Sequence, residues 1–155
     1  MTEPRWKHDG VQVIRGDQLD ANTLQTPGMY RQTAINKARA GAQKLWAGTV
    51  SILPNAKTGP HHHGDLESVI YIVKGRARMR WGEHLEFVAE AGPGDFIFVG
   101  PYVPHQEINA STNEPCECVV IRSDSEPQVV SLPELKPSAE TEEVRWVDPI
   151  HRDQA

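Results

Sequence analysis

From Met29 onward the chain is a succession of short β-like runs cut by Gly and Pro breakers, and that pattern leaves few folds open. The runs read MYRQTAI, KLWAGTVSIL, SVIYIVKG, RARMRW, LEFVAE, DFIFVG, HQEINA and CECVVIR. Between them lie LPNAKTGP, KG, WGEH, AEAGPG and GPYVP. Apolar and polar residues alternate in KLWAGTVSIL, RARMRW and LEFVAE, the two-residue period of half-buried strands. No window holds a convincing amphipathic helix, although LDANTL or NKARAG offers a turn of one. Many strands at regular spacing with Gly/Pro turns imply an all-β antiparallel sandwich or barrel.

The chain divides into an N-terminal extension over 1–28, a β body over 29–132 and a tail over 133–155. At 155 residues it has room for one domain with a substantial core. In the proline-bearing stretch after Ser123, VVSL offers one more strand, and the remainder reads as extended or disordered. Trp146 is its one strong anchor, for docking on the body or on a partner subunit.

Several function classes drop out on charge and hydropathy. The net charge of −5 sits wholly after Arg122, where eight acids face three bases. A neutral body with an acidic tail carries no electrostatic footprint for nucleic acid. Arg76, Arg78 and Arg80 form the one basic stripe, which reads as a solvated strand face. Turned inward, one of these arginines would pair with a substrate carboxylate. No apolar run approaches the roughly 18 residues of a membrane helix. The start, MTEPRWKHDG, lacks the apolar stretch of a secretory signal, so a cytoplasmic location is expected. Cys116 and Cys118 are spaced for neither a disulfide framework nor a zinc ribbon, and read as buried thiols in a reducing compartment.

Chemistry concentrates at His61, His62 and His63. On a strand, His61 and His63 share one face about 7 Å apart, and His62 points away. Two neutral imidazoles on one face begin a metal site. Glu67 follows, and His105 lies after a later β-run and the turn GPYVP. Three histidines and one carboxylate converging inside a barrel would leave coordination positions open, as a catalytic metal requires. The bland alternative is a histidine-rich loop with adventitious metal affinity, with His105 merely hydrogen-bonded.

These residues resemble a known family. The run GPHHHGDLESVIYIVKG, from Gly59 to Gly75, is similar to the first cupin motif, in which HxH is followed by Glu and later by Gly. The run GDFIFVGPYVPHQEIN, from Gly94 to Asn109, is similar to the second, with His eleven positions after the opening glycine and Asn four after His. About 18 residues separate the two, and the resemblance covers roughly Ala42 to Arg122. It implies an antiparallel jelly-roll β-barrel holding one divalent metal ion per chain (Fe, Mn, Ni or Zn), with His61, His63, Glu67 and His105 as ligands. By analogy with small cupins it also implies a homodimer.

The sequence departs from the pattern at four places. Asn55 stands where the first motif carries its opening glycine, Gly100 where the second carries proline, and Tyr102 where it carries glycine. Counting forward from His63 selects Glu67 for the carboxylate slot, whereas counting back from Gly75 selects Ser68. One residue reverses the facing of a strand side chain. A bulge between Gly64 and Leu66 would bring Glu67 inward. Without it the metal has three histidines alone, as in cupins that cleave β-diketones, and Glu67 becomes a candidate catalytic base.

Trp46, Tyr71, Met79, Trp81, Tyr102 and Gln106 are the candidates to line a substrate pocket, with core packing as the ordinary alternative. The expectation is a metal-dependent enzyme acting on a small organic molecule, foremost an oxygen-dependent dioxygenase. A non-oxidative decarboxylase or isomerase is the second reading, and a non-catalytic metal- or ligand-binding module the third.

Overall fold

Each of the eight β-like runs contains a strand, and the pleat of each strand decides which residues enter the interior. The computed structural model describes residues 4, 6–126 and 128–143, so Trp146 lies outside the described residues. The strands are β1 (Met29–Ile35), β2 (Trp46–Ile52), β3 (His61–His62), β4 (Ser68–Lys74), β5 (Ala77–Trp81) and β6 (Phe87–Ala91). They continue with β7 (Phe96–Val99), β8 (His105–Asn109), β9 (Cys116–Arg122), β10 (Val130–Ser131) and β11 (Glu142–Glu143).

Two sheets form, in the orders β1-β2-β9-β4-β7 and β10-β3-β8-β5-β6-β11. Their strands pair antiparallel, except that β11 joins β6 in parallel. The result is the expected antiparallel jelly-roll barrel. The VVSL segment supplies β10, which pairs with β3 and covers that edge.

The sheets share one core. Trp46, Val50 and Ile52 enter it from β2, Ile70 and Ile72 from β4, and Cys116, Cys118 and Val120 from β9. Ala77 and Met79 of β5 and Ala91 of β6 meet them from the opposite sheet. Burial of each large aliphatic side chain contributes about 1.5–3 kcal/mol. Both cysteines are free thiols, as a strand's i, i+2 pair should be, with sulfurs 3.7 Å apart. The outward face of the first sheet leaves Val73, Phe96, Phe98 and Ile121 exposed, and Tyr71 packs on Phe96.

Among the described residues, helix is confined to single turns, α1 (Trp6–Asp9) and α2 (Lys37–Ala40). α2 falls in NKARAG, where the Asn36 side chain caps the Arg39 N–H and Gly41 closes the turn at φ 74°. LDANTL forms no helix. Asp20 instead exchanges backbone hydrogen bonds with Thr33 of β1, at 2.9 and 2.8 Å. No described helix is long and apolar enough to cross a membrane.

Gly48 sets a close approach within β2. A Cβ there would lie 2.2 Å from the Gln32 carbonyl oxygen and 2.6 Å from the Trp46 ring, so the indole covers the glycine. Gly48→Ala should therefore destabilise the fold by about 1–3 kcal/mol, the usual range for overpacking. Urea unfolding checks this; an unchanged midpoint would show that strand and indole move apart freely.

Candidate metal centre

The centre is assembled by one strand pair and the turn beside it. His61 of β3 lies directly across the ladder from His105 of β8. His63 follows β3 immediately, before a turn in which Gly64 adopts φ 64°. Glu107 stands two residues beyond His105 on β8, so the pleat turns it to the same side. One donor atom from each of these four residues lies within 4.8 Å of the others.

Backbone carbonyls orient all three rings. His61 Nδ1 lies 2.8 Å from the Gly59 oxygen, His63 Nδ1 2.8 Å from that of Gln128, and His105 Nδ1 2.9 Å from that of Val103. A carbonyl only accepts, so each Nδ1 carries the proton and each Nε2 presents a lone pair. The His105 Nε2 has no hydrogen-bond partner, although it is buried and stands 3.6 Å from a Glu107 carboxylate oxygen. Where the ring is neutral, acceptor faces acceptor in this buried site, an arrangement that a bound cation resolves. The donor set, three imidazole nitrogens and a carboxylate, fits a divalent transition-metal ion.

Protonation states agree with that geometry. Burial first, then the neighbouring Arg122, pushes His63 down to about 3. Burial and the adjacent His105 lower His61 as well. Burial acts to raise Glu107, but His105, His61 and Arg122 outweigh it and hold the carboxyl well below its usual range. The favoured state is thus neutral imidazoles at His61 and His63 beside a carboxylate, which is the ligating state.

Glu67, expected among the ligands and as a possible base, is outside this group. The turn at Gly64–Asp65 ends before it, and no bulge carries it inward. Its backbone N–H donates to the Ser123 hydroxyl at 2.9 Å, and its side chain is exposed. Ser68 occupies the inward position, buried with an unpartnered hydroxyl oxygen. The carboxylate is Glu107 instead. The alternation that pairs His61 with His63 reads equally in HQE, and that signal was available in the sequence.

The six pocket candidates scatter. Met79 lines the internal cavity, which is small, about 20 Å³. Trp46 and Gln106 are buried, the indole beneath Arg122 and the amide donating to the Thr58 carbonyl at 2.8 Å. Trp81 packs at the core's edge against Phe87. Tyr71 faces outward, and Tyr102 is exposed with its ring 5.7 Å from that of His62. Arg76 and Arg78 pair with Glu90 on the outer face, and Arg80 bonds the Leu85 and Ser138 carbonyls. The arginines that do enter the cavity are Arg31 and Arg122.

Two motif departures have a backbone consequence. Asn55 and Tyr102, standing in glycine positions, adopt φ 65° and 59°. Asparagine tolerates that region well; tyrosine does so under strain of order 1 kcal/mol or more. The Tyr102 N–H bonds the Gly64 carbonyl at 2.7 Å, tying this turn to the one beside His63.

Comparison with known proteins was informative for the fold. The sequence profile of the cupin domain matches residues 48–122. No curated protein sequence matches significantly. Among solved structures, a Bacillus subtilis oxalate decarboxylase variant superposes with TM-score 0.60 at 20% identity, over 70% of this chain and 29% of that one. KdgF from Halomonas sp. gives 0.60 at 17%, over 75% and 96%. Peruvianin-I, a cysteine peptidase of Thevetia peruviana latex, gives 0.63 at 14%, over 77% and 76%. At such identities the likeness concerns the fold, and these proteins differ in what they do.

The buried His63 makes metal-free stability depend on pH. The unfolded chain takes up a proton near pH 6.5, and the folded centre refuses it until about pH 3. Stability should therefore fall as pH drops through that window, with no contribution from this group above it. Urea midpoints against pH for the metal-free wild type and His63→Asn check this. Parallel curves would show that burial does not depress the histidine.

Proposed function

From the premise that residues 48–122 of this chain are a cupin domain, we propose a metal-dependent enzyme acting on a small organic molecule, with oxygen-dependent dioxygenation as its reaction. The observation that carries the reading is the convergence of buried acceptors at His61, His63, His105 and Glu107. These four residues would hold one divalent ion. Once bound, that ion supplies Lewis acidity and, if iron or manganese, a redox centre for oxygen. Bacillus subtilis oxalate decarboxylase is described with Mn(II) centres, which supports a divalent ion in this fold.

The protein's own groups orient and insulate. Carbonyl bonds at the three Nδ1 atoms hold the rings and raise the basicity of each Nε2. With four protein ligands, such an ion would still be open to substrate. Val50, Ile52, Ile70, Ile97 and Val120 give the cavity apolar walls that exclude water. Glu107 is the one carboxylate on that lining and belongs to the ligand group. Glu67 lies outside, and among the described residues no second carboxylate lines the cavity. That favours oxygen chemistry over decarboxylation or isomerisation, which need a proton shuttle of their own.

Metal analysis of untagged protein, purified without added metal, tests the centre. Wild type and Glu67→Gln should each carry about one ion per chain, and His105→Ala and Glu107→Gln should lose it. A wild type that neither arrives with metal nor loads under reducing conditions would leave a binding module. With enolic acids and catechols as trial substrates, oxygen uptake should accompany turnover. Turnover without oxygen would replace dioxygenation with the non-oxidative reading.

We infer also that the chain forms a homodimer through the outward face of its first sheet. Val73, Phe96, Phe98 and Ile121 are exposed together there, and a twofold contact lets one apolar face cover its own copy. Light scattering at micromolar concentration should give twice the chain mass, and Phe96→Lys should lower it to one. A monomeric wild type would end this proposal.

A further inference from the structure

Away from the histidine–carboxylate group, the unpartnered buried side-chain atoms among the described residues can all donate a hydrogen bond. Arg31, from the middle of β1, and Arg122, from the end of β9, are only 9% and 4% exposed. The Nε of each is buried without a partner, and both side chains line the internal cavity. Ser68 stands directly across the ladder from Arg122 and is buried with its hydroxyl unpartnered. Arg31 donates from one terminal nitrogen to the Leu24 carbonyl at 2.8 Å, and Arg122 lies over the Trp46 ring. Among the described residues, no carboxylate stands within salt-bridge distance of either guanidinium.

A buried guanidinium without a carboxylate is strongly disfavoured, and two beside one cavity repel each other. Burial lowers Arg122 to about 10; Glu107 opposes that shift and Arg31 adds to it. Glu107 lines the cavity too, but it completes the histidine group. One carboxylate against two guanidiniums leaves a single positive charge beside the cavity. One monovalent anion would cancel it.

Space decides which anion. The cavity measures about 20 Å³, room for a single particle about the size of a water molecule. Organic acids, phosphate and sulfate are excluded by size, whereas chloride is little larger than water. Apart from the arginines, Glu107 and the weakly donating Cys118 thiol, the lining is apolar. A water there would have two hydrogens of its own to place and would bring no charge. A monatomic anion accepts from every side and supplies the charge that is missing. We propose that Arg31 and Arg122 hold a chloride ion through their Nε–H groups, in the barrel interior beside the candidate metal centre. The site needs no metal, so it stands independently of the enzyme reading.

The test compares salts. Wild type freed of halide is melted in gluconate buffer and in chloride up to about 200 mM, at constant ionic strength, gluconate being too large for the cavity. Chloride should raise Tm saturably, by about 3 °C or more. Arg122→Met should lose that rise. General salt effects persist in the variant, so an equal response in both proteins would overturn the site. Should Arg122→Met not fold, Arg31→Met carries the same readout. Crystals of wild type grown in chloride need no variant. Their anomalous scattering at long wavelength should place a chloride within hydrogen-bond distance of both Nε atoms. A water without anomalous signal at that position, or adventitious chloride at surface residues only, would end the proposal.

Discussion

A strand offers only alternate side chains to one face, and in this barrel that rule selects most of what the interior contains. On β8 it admits His105, Glu107 and Asn109; on β9, Cys116, Cys118, Val120 and Arg122. On β1 it admits Met29, Arg31 and Thr33. A polar residue on such a face is buried whether or not it has a partner. The aliphatic members supply the core, and the polar ones draw stability from it. The buried atoms at Arg31 Nε, Ser68 Oγ, His105 Nε2 and Arg122 Nε are left without hydrogen-bond partners from the chain itself.

Much of this was legible in the sequence, because alternation and breakers are local signals. The eight strand-bearing runs, the jelly-roll barrel and the single helical turn at NKARAG follow from period and turn chemistry. The three histidines brought together are those that spacing singled out. The carboxylate was not, since motif spacing directed attention to Glu67 while the facing rule pointed to Glu107 two residues beyond His105. Asn55 and Tyr102 show the converse: a lost glycine does not abolish a left-handed turn when the surrounding hydrogen bonds demand it.

The cationic side of the cavity was hidden for a different reason. Arg76, Arg78 and Arg80 present the conspicuous pattern, yet β5 pairs with β6 in the register that places Arg78 opposite Glu90 and turns the stripe outward. Arg31 and Arg122 each sit singly in otherwise ordinary runs, MYRQTAI and CECVVIR. Their inward facing depends on where β1 and β9 enter the sheet, which is a tertiary fact. Composition cannot distinguish a buried arginine from a solvated one.

These features are mechanically connected. Gly48 lets the Trp46 ring lie flat along β2, and that ring is the platform on which Arg122 rests. Trp46 and Ser68 flank Arg122 in the ladder, on β2 and β4, so the guanidinium is held from both sides of β9. Its charge helps keep His63 unprotonated and Glu107 ionised. The cation therefore favours the ligating state of the neighbouring groups. That influence works because the site is buried: at the surface, solvent and salt would screen it away.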